Sequence, residues 1–316
     1  MMMRVVPASA IAMLLLVAAL AVSVLAGPTS LSEALKQPAI LLDLRLARSL
    51  LAGVCGAALA GAGVVFQGLF RNPLADPFVM GVSGGAALGA VIMVAAGVTA
   101  PGALTGAAFI GGLAASWVAY RMARVRGRTP VETLVLAGFA VGAFCSAVLA
   151  IVALMTINSW DEVLRWLFGR CAHPDPWRPL RVATPLTLIG LGAVAFHARD
   201  LNVLATGEES AQQLGVDVEG AKARLLAAGT VLTAAAVAVC GIVGFIGLVV
   251  PHAARKLVGP EHRRLLPVAV IGGAAALVAA DTLARSVLPP HELPLGAVTA
   301  LMGAPFFALL LRRRAK

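Results

Sequence analysis

The chain has 316 residues, 60% of them hydrophobic and 13% charged, with a mean hydropathy of +0.92. A water-soluble surface needs roughly twice that charge, and so apolar a chain cannot stay solvated and expanded, which excludes both the soluble globular and the disordered classes. The net charge of +10 comes in short basic clusters between apolar runs rather than on one face, the mark of membrane topology and not of a nucleic-acid footprint.

A bilayer core about 30 Å thick takes about 20 helical residues. Stretches free of Asp, Glu, Lys and Arg run over 5–32, 49–70, 77–120, 133–160, 182–198, 225–254, 265–280 and 293–311. The first follows Arg4 and ends in Val24-Leu25-Ala26-Gly27, a pattern shared with cleavable leaders, but it is long enough to span and is expected to be retained. The 77–120 run breaks at Pro101-Gly102. The 225–254 run breaks around Gly241 to Gly247 before Pro251, giving one full and one short helix. Ten transmembrane helices follow, in an all-α polytopic chain read as a single domain over 1–316. Aromatics at 5% beside 33 glycines fit packed helices better than a barrel with aromatic girdles. Gly81, Gly85 and Gly89 form a small-residue stripe on the third span, and Gly138 and Gly142 repeat it in the fifth.

Ten spans put both termini on one side, and the basic residues choose which. A cytoplasmic N-terminus places Arg4, Arg71, Arg121, Arg124, Arg126, Arg128, Arg199, Lys222, Arg224, Arg255, Lys256, Arg263, Arg264, Arg312, Arg313, Arg314 and Lys316 inside. Only Lys36, Arg45, Arg48, Arg165, Arg170, Arg178, Arg181 and Arg285 stay outside, so both termini are expected in the cytoplasm of an inner, plasma membrane protein.

The pattern of reactive residues is equally informative. None of the four lysines follows a glycine, so no P-loop can cradle nucleotide phosphates. Cys55, Cys145, Cys171 and Cys240 show neither metal-ligand spacing nor a disulfide framework and read as small packing residues. Asp281, the most internal acid, has Arg285 one helical turn later and reads as a paired helix-end carboxylate. His197 and His252 read as structural or interfacial. An ion-coupled secondary transporter would show acids or polar breaks at mid-depth, and a membrane enzyme would show a reactive constellation. Asp161 to Arg170 is amphipathic and is expected to lie along the outer membrane surface.

Four sequence blocks carry a family resemblance. They are Arg71-Asn72-Pro73-Leu74-Ala75-Asp76-Pro77 with Gly81-Val82-Ser83-Gly84-Gly85-Ala86; Gly207-Glu208-Glu209 with Ala211, Leu214 and Gly215; Gly244-Phe245-Ile246-Gly247-Leu248-Val249-Val250-Pro251-His252 with His262 to Pro267; and Glu292-Leu293-Pro294-Leu295-Gly296 with Thr299 and Gly303 to Phe307. In this order, across residues 40 to 312, they resemble the FecCD-type permeases of ATP-binding-cassette (ABC) importers, which serve iron-siderophore, haem and vitamin B12 uptake. The resemblance implies a type II importer permease fold and no enzymatic reaction or bound cofactor in this chain. It also implies a second permease copy, two ATPase subunits that use ATP and Mg, and an external substrate-binding protein. A ferric siderophore is the expected cargo, with haem and cobalamin as alternatives.

The resemblance assigns residues as well. Gly207, Glu208, Glu209, Ala211, Leu214 and Gly215, in the inner loop of about 199–224, become the segment that docks on the ATPase. Arg45, Arg48 and Arg285 run against the inside bias; snorkelling to lipid headgroups would explain them, and in the similar vitamin B12 permeases arginines of these stretches receive glutamates of the binding protein. Asn72, Leu74, Val131 and Glu132 correspond to the cytoplasmic gate, although Pro130-Val131-Glu132 departs from the hydroxyl-rich stretch of those permeases.

Overall fold

The structure is a computed structural model that describes residues 5–27, 36–98, 100, 102–155, 160–289 and 291–314. In chain order its helices are α1 (Val5–Leu25), a π-helical turn (Ile40–Leu46) leading into α2 (Ala47–Leu69), a 3-10 turn (Pro77–Met80), α3 (Val82–Ala95), α4 (Ala103–Ala123), α5 (Val131–Leu154), α6 (Trp160–Leu167) and α7 (Trp177–Phe196). Then follow α8 (Ala198–Leu204), α9 (Glu208–Gln213), α10 (Val218–Cys240), α11 (Ile246–Val258), α12 (His262–Ser286) and α13 (Leu295–Arg314). Among the described residues no strand forms beyond one isolated bridge between Val125 and Arg128.

Seven of these elements are long and apolar enough to cross a bilayer unaided: α1, the π-turn with α2, α4, α5, α7, α10 and α12. The shorter apolar helices are α3 and the Leu295–Ala308 part of α13, and with α11 packed against α2 and α12 they complete the ten-helix membrane fold. Both breaks read from the sequence are present. Gly102 starts α4 in a left-handed conformation (φ +85°), and Gly241 (φ +71°) ends α10 before an extended passage to α11.

The helices run past the charge-free stretches. α10 begins at Val218 and takes in Glu219, Lys222 and Arg224, while α12 spans His262–Ser286 and encloses Asp281 and Arg285. The reason is internal pairing: Lys222 and Asp281 each meet a counter-charge on another element, and Arg285 pairs with Asp281 one turn away, as described below.

α2 is the central post, buried along nearly its whole length against α7, α10, α11 and α12. Its glycines permit this. A Cβ at Gly56 would overlap the Gly273 carbonyl of α12, and one at Gly63 the Gly247 carbonyl of α11. Lipid tails give no hydrophobic drive for helix association, so such close backbone contact supplies the packing energy. Gly63→Ala is expected to force α2 and α11 apart at about 1–3 kcal/mol. Its thermal midpoint in detergent should fall by several degrees; an unshifted midpoint would contradict so close an approach. Gly85 and Gly89 admit α4 at Gly111 and Ala107, whereas Gly81 (φ +72°) turns the chain into α3 and meets Gly138 and Gly142 of α5.

Helix directions follow from the end contacts. Ser23 near the end of α1 touches α2 and α12 beside Arg45 and Arg285, and Leu295 at the start of α13 bonds Gly169 after α6. Val5 and Arg314 therefore head toward the other end of the bundle, where α9 sits.

Candidate functional site

At the α9 end, residues 198–217 fold into two short helices rather than a loose loop. Gly207 (φ +125°) turns the chain into α9, with Glu208 and Glu209 in the first turn, where acids favour a helix N-terminus. Ala211 is buried beneath, and Leu214 stands out to the surface. Gly215 (φ +79°) closes the helix: its N–H donates to the Gln212 carbonyl, and the Val216 N–H to Ala211. Asp217 then caps α10 by accepting from the Gly220 N–H.

A lysine that the sequence reading passed over holds this unit in place. Lys222 of α10 is only 6% exposed. Its ammonium reaches Glu208 Oε1 of α9 (2.6 Å), Glu219 Oε1 one turn away (3.2 Å) and the Thr129 carbonyl in the α4–α5 connection (3.0 Å), so all three donors are used. Thr129 Oγ1 in turn donates to Glu219 Oε2 at 2.7 Å. The Glu219/Lys222 spacing was the available sequence signal; the partners on α9 and before α5 were not visible there. α8 is fixed alongside: Asn202 Oδ1 accepts from both the backbone N–H and the ring Nδ1–H of His262, at 2.9 and 2.7 Å.

The residues expected at the gate lie at this same end. Asn72 is exposed and accepts from the Leu74 N–H through its side chain, making a tight turn before the Pro77–Met80 element. Val131 and Glu132 open α5, Glu132 being exposed. The two segments converge higher up, where Gly138 of α5 faces the Val79 carbonyl. A cleft of about 390 Å³ opens there, lined by Phe78, Ser83, Phe139 and Ser146 among others.

At the opposite end the three outward-assigned arginines come together in one buried network, each bonded within this chain. Arg48 clamps Asp281 with Nε and Nη2 (2.9–3.1 Å) and grips Glu292 with Nη1 and Nη2 (2.7 and 3.0 Å). Arg285 lies 3.6 Å from Asp281 and donates to the Ser23 carbonyl and hydroxyl at 2.5 and 2.6 Å. Arg45 donates to the Val24 and Leu25 carbonyls, closing the end of α1. Asp281 is 1% and Arg285 2% exposed; Glu292, at 37%, is the part of the network that solvent reaches. The pairing of Asp281 with Arg285 expected from the sequence exists, but the shorter contact is to Arg48.

The amphipathic segment after α5 forms α6 with Val163 buried; the side chains of Asp161, Glu162 and Arg165 lie outside the described residues. The chain then lies against the end of α10: His173 Nε2–H donates to the Val239 carbonyl at 3.0 Å. Burial pushes the His173 imidazole below its usual pKa range. All four cysteines are buried. Among the described residues no group of three His, Cys, Asp or Glu could hold a metal ion.

Comparison with known proteins supplies the context for these two ends. The chain is 46% identical over 278 residues to the cobalamin import system permease protein BtuC of Halobacterium salinarum, covering 86% of this chain and 73% of that one. It is 45% identical over 285 residues to the hemin transport system permease protein HmuU of Yersinia pestis, covering 87% and 84%. A solved inward-facing structure, assigned to the metal-chelate type of ABC transporter, superposes with a TM-score of 0.89 at 30% identity, covering 98% of this chain and 99% of the other. The model of the FecCD transport family matches residues 10–313, and this chain belongs to that family of ABC importer permeases.

Proposed function

We propose that the chain is the transmembrane half of an importer for a bulky metal chelate, set in the inner (plasma) membrane with α9 and both termini in the cytoplasm. A second copy completes the translocation path, two ATPase subunits beneath α9 use ATP and Mg, and an external binding protein delivers cargo at the Arg48 end. The observation that carries this reading is the anchoring of α9 by Lys222, because a short helix pinned to a membrane-spanning helix transmits a push that a slack loop would absorb. As cargo we infer a macrocyclic metal chelate, cobalamin or haem, ahead of the ferric siderophore, because the relatives at 46% and 45% identity are a cobalamin and a hemin permease. Liposomes holding the chain, its ATPase and its binding protein should accumulate cobalamin or haemin in a vanadate-sensitive way. Accumulation by the chain alone would overturn the importer, and accumulation of a ferric siderophore only would overturn the cargo.

Coupling has its own test. A Cβ at Gly215 would meet open space, so a substitution there acts first through φ. Gly215→Val imposes about 1–2 kcal/mol of left-handed strain on the end of α9. ATPase activity is expected to continue while uptake falls; unchanged transport would remove α9 from the coupling path.

Docking is tested at Glu292. Arg48 is the arginine a partner's carboxylate can reach, and Glu292 occupies its solvent side. Glu292→Gln is expected to tighten salt-sensitive binding of the loaded binding protein several-fold. Weakened binding would place the contact on Glu292 itself.

A further inference from the structure

Three thiols meet at the end of the bundle opposite α9. Cys240 closes α10 and Cys171 follows α6; their Sγ atoms are 3.0 Å apart and both side chains are fully buried. Cys55 of α2 lies within reach of Cys240. A disulfide holds its sulfurs at about 2.05 Å, so a closure of about 1 Å separates this pair from a covalent bond.

The two backbones are placed by contacts other than the thiols. The Arg170 N–H donates to the Cys240 carbonyl at 2.8 Å, His173 Nε2–H to Val239 at 3.0 Å, and the Leu295 and Gly296 N–H groups to Gly169 and Phe168 at 3.1 and 2.9 Å. Gly169 (φ +76°) and Gly241 (φ +71°) turn the two segments past each other, and a Cβ at Gly241 would overlap the Trp166 carbonyl. Cys171 and Cys240 are thus held side by side by the surrounding frame, as a low-strain bridge requires.

We propose that Cys171 and Cys240 are joined by a disulfide that staples the α6–α7 segment to the end of α10, across 69 positions of chain. The inference rests on the proposed orientation, which places this end outside the cytoplasm, where thiols are oxidised. The oxidant is a disulfide of the thiol–disulfide exchange class. One cysteine loses its proton and its thiolate attacks the oxidant, releasing one thiolate; the second cysteine's thiolate attacks the mixed disulfide and releases the other. Two electrons and two protons leave the pair and end on the oxidant as two thiols. Burial sets the timing: exchange precedes the docking of the segment on α10, and the finished bond is then shielded from reductants.

The full chain, extracted from its membrane with a thiol-blocking maleimide present, is denatured, labelled without reduction and mapped by peptide mass. The expected result is a Cys171–Cys240 cross-linked peptide two hydrogens lighter than its two parts, with Cys55 and Cys145 labelled. Reductant should cleave the link after denaturation and not before. Four labelled cysteines, or a Cys55–Cys240 link, would overturn the proposal. Orientation is read separately by an impermeant maleimide on Leu214→Cys in intact cells. Protection there supports the topology, so that free thiols count against the pairing alone; labelling from outside overturns the topology on which the pairing rests.

Discussion

Asp281→Ala is expected to prevent recovery of folded protein, the largest effect of any single substitution outside the glycine contacts. The carboxylate is 1% exposed and accepts from Arg48 at 2.9 to 3.1 Å, with Arg285 at 3.6 Å. Its removal leaves two guanidinium groups facing an emptied site. Arg48 retains Glu292, but Arg285 retains only the neutral carbonyl and hydroxyl of Ser23. Breaking a buried pair from one side costs about 3–5 kcal/mol, a large part of the roughly 5–15 kcal/mol that stabilises a domain. The cost also spreads, because Arg285 and Arg45 hold α1 to the bundle through its last turn. The charge-balanced pair Asp281→Asn with Arg285→Gln should restore much of the lost stability. Thermal unfolding of the two singles and the double, read as a double-mutant cycle, checks this. An Asp281→Ala protein that melts with the parent would show that the network holds nothing together.

The same network shows where sequence reading reaches its limit. Ten helices were legible because a span is a property of local composition: about 20 apolar residues, punctuated by Pro101-Gly102 and by Gly241. α9 was legible as well, since Gly207 and Gly215 bracket it and both take positive φ. The ends of α10 and α12 were not, because charge-free runs stop at Arg224 and Asp281 while the helices continue through them, α10 as far as Lys222 and beyond. What permits this is partners distant in sequence: Thr129 is 93 positions from Lys222, and Arg48 is 233 from Asp281. The i, i+4 spacing disclosed Arg285, the weaker partner of Asp281, and gave no hint of Arg48, the stronger one. Likewise the four cysteines have no telling spacing, yet Cys171 and Cys240 meet because a loop after α6 folds onto the end of α10.

Lys222→Met should separate folding from transport. Unlike Asp281, the charges it leaves behind are partly solvated, with Glu208 38% and Glu219 28% exposed, so the fold loses only about 1–3 kcal/mol. Glu219 also keeps its bond from Thr129. What disappears is the three-way brace: Lys222 ties α9 to α10 and to the α4–α5 connection at once, and the Thr129–Glu219 bond that remains joins the last two without α9. If α9 carries the ATPase stroke, a coupling loss of about 1–3 kcal/mol corresponds to a 5- to 150-fold fall in transport per ATP. Amides of α9 should exchange hydrogen faster in the variant, while those of α2 and α12 keep the parent rate. Glu208→Gln, which leaves Lys222 its bonds to Glu219 and Thr129, should give a smaller loss in the same direction. Uptake per ATP equal to the parent in Lys222→Met, with α9 amides exposed, would mean that a rigid α9 is not required for coupling.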